Sequence, residues 1–566
     1  MSTRQLEASV RARPAPSASG ATATATGLLD RVGPLRVLAL ILLVAGGAIV
    51  GAMRTTSTTF DEIVLIAGGA RGYATGSFDL APDHPPLLQY VYGLPVFLAN
   101  PAFPDESGVP PQVIAQQGYR YFYAKQFFWG TGNDAERLAF LGRLPAVLFA
   151  LLLVVVVFAI VRPVAGAGAG LLGAAMVAFL PDVLGHGGVA YGDLPLALGF
   201  LAGLWLIDRA VRSAAWRDAA AAGLVCGLTV GVKISAGALV PAAVALIGIE
   251  AWLRRGDRAW RRRTPGAVAA AAAAGYLALV LIFRGDFLLE QFRFGLDFRY
   301  QHMTAGHGAN AYLLGEMSST GWWYYFPVAF LFKTSAGLHT LMLIAAIAGV
   351  TALVRDPGSA LRSRLRAPLV GTLVFGAALL TSNLNIGFRY AMPVLPLLCV
   401  LTAVGIARFW SVTSRAPRAV IVAAAAWMIA FPLSYYPRFL SYISEYGPGR
   451  DRNHEVLIDS SLDWGQGLLE LREFMREHGI PRIYLSYFGS ALPAGYGIDY
   501  VPLASFFRLA PASGPPQPEP EYVVISATNL AGAYLPGDPF AKFREIRPDH
   551  VVANTMLVYR IRHQGD

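Results

Sequence analysis

A helix needs roughly twenty consecutive, mostly apolar residues to cross a bilayer, and this chain supplies about eleven such runs before residue 437. Their centres fall near Leu43, Val154, Ala175, Phe200, Cys226, Ala245, Gly275, Ile344, Val374, Val400 and Ala425. Hydrophobic residues make up 55% of the 566 and only 14% are charged, a balance a soluble domain does not need. The expected fold is therefore a polytopic α-helical membrane protein. A net charge of +10 does not indicate a nucleic-acid partner, because the basic residues form short clusters between apolar runs and no basic face. Cys226 and Cys399 both lie in apolar runs, so no disulfide framework is expected.

The arginines give an orientation. Arg31 and Arg36 precede the first run, Arg209, Arg212 and Arg217 follow the fourth, and "RRGDRAWRRR" follows the sixth. Arg355, Arg362, Arg364 and Arg366 follow the eighth, and Arg415 and Arg418 precede the eleventh. All fall on one side if the runs alternate, and the positive-inside rule makes that side the cytoplasm. The expectation is a disordered cytoplasmic leader over 1–33, rich in Ala, Thr, Ser and Pro, and then a membrane domain over 34–436. Two long loops, 54–137 and 284–333, and the turn "TSNLNIGFRY" face outward. So does everything from 437 to 566, where "EVLID", "RIYLSYFG", "YVVISA" and "MLVYRI" read as strands and "GLLELREFMREHG" as a helix. This tail is expected to be a small α/β domain interrupted by the loop "PASGPPQPEPE".

Within the first outer loop, Asp61 and Glu62 follow the first run directly, and Asp83 and His84 open "DHPPLL". Neither a Walker-type nor a dinucleotide-binding glycine motif is present. Outside the cytoplasm a group-transfer enzyme needs a donor that arrives through the lipid, and polyprenyl-phosphate sugars are such donors. Transferring the sugar calls for a carboxylate to take the acceptor's proton and for cations to stabilise the departing phosphate. Asp61 and Glu62 fit the base. Arg389, Lys333, Lys233 and Arg143 fit the cations, each near the outer end of a run where an unpaired charge would be costly.

The succession "FDE", "DHPPL", "ERLAFLGRLPAV", "YGDLPLA" and "GFRYAMPVLPLL" resembles the GT-C glycosyltransferases of the protein O-mannosyltransferase and aminoarabinose-transferase type. In the tail, "DSSLDWGQGLLELREFMREHGI", "YLSYFGSALPAGYGI" and "VVISATNLAGAYL" resemble the C-terminal domain of a bacterial branch of that group. The resemblance implies an inverting transferase of the bacterial plasma membrane that moves a sugar from a polyprenyl-phosphate carrier to a protein, lipid or glycan acceptor. It implies Asp61 as base with Glu62 beside it, and matches a second family acid to Asp193. No cofactor is called for; a divalent metal is compatible with the resemblance but not indicated. No MIR-type insertion is present.

Each residue also has a plainer reading. Asp61 and Glu62 could charge a helix N-terminus, and Asp193 could cap one ahead of Pro195. His84 either orients a phosphate or ends a segment before its two prolines. Arg389, with Tyr390 as neighbour, either holds phosphate or snorkels to headgroups. Trp322, Trp323, Tyr324 and Tyr325 fit an interfacial belt, His302 and His307 fit surface histidines, and Asp463 fits a turn. The rival class is a transporter or lipid flippase, against which stands the lack of an inverted repeat.

Overall fold

In lipid a backbone N–H finds no water and must be paired within its own segment, so long apolar runs become helices. The computed structural model describes residues 33–114, 118–304, 311–509 and 519–561. The leader, His307, the side chain of His302 and most of the "PASGPPQPEPE" loop lie outside the described residues.

The chain begins with α1 (Pro34–Met53), α2 (Glu62–Thr75), α3 (Leu87–Phe97), α4 (Tyr119–Lys125), α5 (Ala135–Ala165) and α6 (Ala167–Ala178). Next come α7 (Asp193–Ser213), α8 (Trp216–Val230), α9 (Leu239–Leu253), α10 (Arg258–Ile282), α11 (Glu290–Thr304), α12 (Tyr325–Lys333) and α13 (Ala336–Arg355). The bundle closes with α14 (Arg366–Leu380), α15 (Val394–Val412) and α16 (Arg415–Leu433), and α17 (Leu468–Glu477) lies in the tail. Every expected centre falls within a helix, and the chain is an integral membrane protein. Among the described residues eight helices are long and apolar enough to cross a bilayer: α1, α5, α7, α9 with the turn before it, α10, α13, α15 and α16. At the other three centres α6, α8 and α14 have 12, 15 and 15 residues. Pro181 follows α6 closely, and "TSNLN" follows α14, so polar and helix-breaking residues end these elements early.

Small residues bring helices together where lipid offers no hydrophobic drive. Gly223 and Gly227 of α8 lie against Ala271 and Gly275 of α10; a Cβ on Gly223 would sit 2.0 Å from the Ala271 carbonyl oxygen. Gly69 of α2 and Gly93 of α3 meet in the same way, and a Cβ on Gly69 would sit 2.1 Å from the Gln89 carbonyl oxygen. This contact fixes α2, whose first turn carries the two adjacent acids.

A hairpin of β1 (Ala311–Leu313) and β2 (Glu316–Ser318) precedes α12. In the tail, β3 (Ile483–Ser486), β4 (Tyr500–Pro502), β5 (Tyr522–Ser526), β6 (His550–Val552) and β7 (Met556–Arg560) form one sheet in the order β4-β3-β5-β7-β6. β3 pairs in parallel with β4 and β5, whereas β7 is antiparallel to β5 and β6. Buried Leu468, Leu471 and Met475 give α17 one apolar face. "EVLID" is not a strand: short 3-10 turns occupy Asn453–Glu455 and Asp459–Ser461, and Asp459 has a φ of 53° that no strand tolerates.

The tail docks on the segment joining α1 to α2. Ser57 N–H donates to the Gln466 carbonyl at 3.1 Å and Phe60 N–H to that of Trp464 at 3.0 Å. The Ser57 hydroxyl donates to the Gly465 carbonyl at 2.9 Å. Asp61 thus starts α2 directly beneath "LDWGQ".

Candidate active site

A cavity of about 390 Å³ opens between this end of the bundle and the tail. Asp61 lines it, and its side chain makes no capping hydrogen bond. Its carboxylate accepts instead from the Tyr121 hydroxyl of α4 at 3.1 Å and lies 3.8 Å from the Arg389 guanidinium. Arg389 sits in a 3-10 turn just before α15 and is buried. Its Nε donates to the Ser460 hydroxyl at 3.0 Å and its Nη1 to Asp193 at 3.4 Å. The rings of Trp464, Tyr191 and Tyr390 lie 4.3, 4.8 and 5.1 Å from its guanidinium carbon. Ion pairs and aromatic faces therefore hold the cation in one orientation while it still borders the cavity.

Asp193 begins α7 fully buried, with Gly192 in the capping position. It accepts from Lys233 as well as Arg389, and Lys233 lies 4.6 Å from the Tyr390 ring centroid. Asp193, Lys233 and Tyr390 thus form the support behind Arg389. His84 borders the cavity from the other side, its Nε2 3.6 Å from Asp83.

Three candidates lie elsewhere. Glu62 is fully buried and accepts twice from Arg143, at 2.8 Å each, and from the backbone N–H groups of Ala190 and Thr59. Arg143 spends its remaining donors on the carbonyls of Met53, Thr56 and Ser57; with five N–H groups in all, none is left for a phosphate. Lys333 is fully buried and donates to the carbonyls of Leu440, Tyr442 and Ser461, which uses all three of its protons. Asp463 accepts from the Ser526 hydroxyl and the Thr528 N–H, pinning the turn it was expected to occupy. Trp322 to Tyr325 do not line the cavity.

Other lining residues were not singled out in the sequence. Arg120 is paired with Asp83, and Tyr121 has its hydroxyl pushed to higher pKa by burial and by Asp61. Both come from the aromatic run "GYRYFYAK", a local signal of a packed loop helix. From the tail come Asp459, Phe488, Phe506, Phe507 and Tyr534. Burial pushes the Asp459 carboxyl up to about 6, against the opposing pull of its hydrogen bond from Tyr534 and of Arg389. Among the described residues no group of three His, Cys, Asp or Glu side chains is arranged to hold a metal.

The fold and site together are those of an integral membrane protein with an acid and a buried cation meeting in a cavity at one end of its helices. The family model of dolichyl-phosphate-mannose-protein mannosyltransferases matches residues 136–283, the stretch holding Arg143, Asp193 and Lys233. No curated protein matches the sequence. Among solved structures, ArnT from Cupriavidus metallidurans bound to undecaprenyl phosphate is 13% identical, with a TM-score of 0.42 over 93% of this chain and 98% of that one. The same protein in its apo state is 17% identical, with a TM-score of 0.40 over 73% of this chain and 66%, just under two thirds, of that one. Arabinosyltransferase EmbB from Mycobacterium smegmatis is 16% identical, with a TM-score of 0.38 over 65% of this chain and 30% of that one. Likeness at this level transfers no residue role.

Proposed function

We propose that the chain is a membrane glycosyltransferase that moves a sugar from a polyprenyl-phosphate carrier to an acceptor hydroxyl on the extracytoplasmic side. The observation that carries this reading is the meeting of Asp61 and Arg389 across 3.8 Å in a cavity at the membrane-domain end. Asp61 takes the proton from the acceptor hydroxyl, whose oxygen attacks the anomeric carbon from the face opposite the phosphate. The bond from that carbon to the phosphate oxygen breaks, its electron pair leaves with the phosphate, and the anomeric configuration inverts. Arg389, held by Asp193 and Ser460, faces the charge that develops on the leaving group. His84 is the second group at hand for the phosphate, and Lys233 and Tyr390 keep Arg389 in place. Glu62, Arg143 and Lys333 build the frame. The partial family-model match supports the same class.

The test is Asp61→Asn, which removes the base at constant shape. Membrane insertion and yield are expected to be unchanged, while transfer from a panel of polyprenyl-phosphate sugars in detergent falls by ~100-fold or more, the usual range for a lost general base. Turnover near that of the wild type would take the base role from Asp61. Activity that needs sealed vesicles and leaves the sugar on its carrier would point to transport.

A further inference from the structure

The transfer chemistry leaves two carboxylates of the cavity unused: Asp83, which is paired with Arg120, and Asp459. Asp459 comes from the tail and is held in the left-handed region at a φ of 53°, a conformation that is costly for a non-glycine residue and marks over-determined sites. Three contacts hold the residue there. The Ser460 N–H donates to Oδ1 at 2.5 Å, the Tyr534 hydroxyl donates to Oδ2 at 2.6 Å, and the Thr528 hydroxyl accepts from the Asp459 N–H at 3.0 Å. An ionised carboxylate offers roughly four acceptor positions, so this one keeps free capacity while its direction is fixed.

Beside it stands an aromatic wall. The Phe60 ring stacks on Phe507 at 5.1 Å and lies 5.3 Å from Phe488. Tyr534 lies 5.6 Å from Phe488 and 5.9 Å from Phe506, and Phe506 is 43% exposed. Flat apolar faces next to a fixed hydroxyl acceptor match a pyranose ring, which carries C–H bonds on its face and hydroxyls on its rim. A peptide that adds as a strand would call for an open strand edge, and neither edge strand of the sheet, β4 or β6, lines the cavity.

We infer that the tail forms an acceptor subsite for a carbohydrate, in which Asp459, braced by Tyr534, accepts from ring hydroxyls and the phenylalanine wall receives the ring face. This rests on the reading of the cavity as a sugar-transfer site.

The test measures the affinity of the purified full chain for three probes: a polyprenyl phosphate, a panel of p-nitrophenyl pyranosides, and a threonine-containing hexapeptide. Asp459→Asn is suited to it because asparagine tolerates the left-handed backbone. The wild type is expected to bind at least one pyranoside, and Asp459→Asn to weaken that binding by ~10-fold or more through loss of a charged acceptor. Tyr534→Phe, which leaves the carboxylate but frees its direction, is expected to weaken it by a smaller factor, and both variants keep wild-type affinity for the polyprenyl phosphate. Pyranoside binding untouched by either change would overturn the subsite, as would binding of the peptide alone. Pyranoside binding through Asp459 with no affinity for the lipid phosphate would support the subsite and overturn the transfer reading.

Discussion

Asp61 and Glu62 are neighbours in sequence with opposite surroundings. Asp61 borders the cavity, its side chain 24% exposed, whereas Glu62 is sealed against Arg143 in a lattice of hydrogen bonds. Removing one partner of such a buried pair leaves an uncompensated charge and costs ~3–5 kcal/mol. Glu62→Gln is therefore expected to lower the melting temperature in detergent sharply or to prevent accumulation, while Asp61→Asn melts like the wild type. A Glu62→Gln protein of normal stability that had lost transfer would make Glu62 part of the chemistry. The sequence placed both acids at the right end of α1, but it could not separate them, because the separation depends on Arg143, 81 positions away. Lys333 is the same case: its charge was visible, yet the carbonyls that absorb it belong to residues 440–461.

At the scale of elements, helices were legible because apolar length is a local property, and the strands at β3, β5 and β7 because a short run rich in Ile, Val, Leu and Tyr is local too. β4 and β6 are three residues each, too short for any period to register, and "EVLID" has a strand's composition but a bridge's job between bundle and tail. Close helix contacts are legible only in part, since a glycine shows that a neighbour can approach, not which one does. The α2–α3 contact bears directly on the site. Gly69→Ala would drive a methyl into the backbone of α3, and the simplest relief is a shift of α2 with Asp61 at its head. Displacement of a reacting group by about 1 Å costs on the order of 100-fold, so Gly69→Ala is expected to cut turnover by about that factor in protein that still inserts. Gly248→Ala on α9, where a Cβ meets nothing within 4 Å, is the control and is expected to leave turnover unchanged. Equal losses in both would mean that α2 packing does not govern the site.

Over the whole molecule, charge is divided between two ends. Asp61, His84, Asp193, Lys233 and Arg389 gather where the tail docks, on loops and helix ends spread across more than 300 positions of sequence. At the other end, buried Arg366 is bound by Asp208 and Glu250, with Arg212 and Arg254 on the same acids. That end coincides with the arginine clusters from which the orientation was read, and the proposed reaction depends on it facing the cytoplasm, so that the cavity meets lipid-borne donors from the other leaflet. Single cysteines decide the point. Phe506→Cys would stand at the cavity and Arg255→Cys on an exposed loop at the opposite end, while native Cys399 is buried and Cys226 lies along an apolar groove between helices. In right-side-out vesicles a membrane-impermeant maleimide is expected to label Phe506→Cys at once and Arg255→Cys only after permeabilisation. The reverse pattern would put the cavity in contact with cytoplasmic nucleotide sugars and remove the reason for a lipid-linked donor, even though every distance within the site would stand.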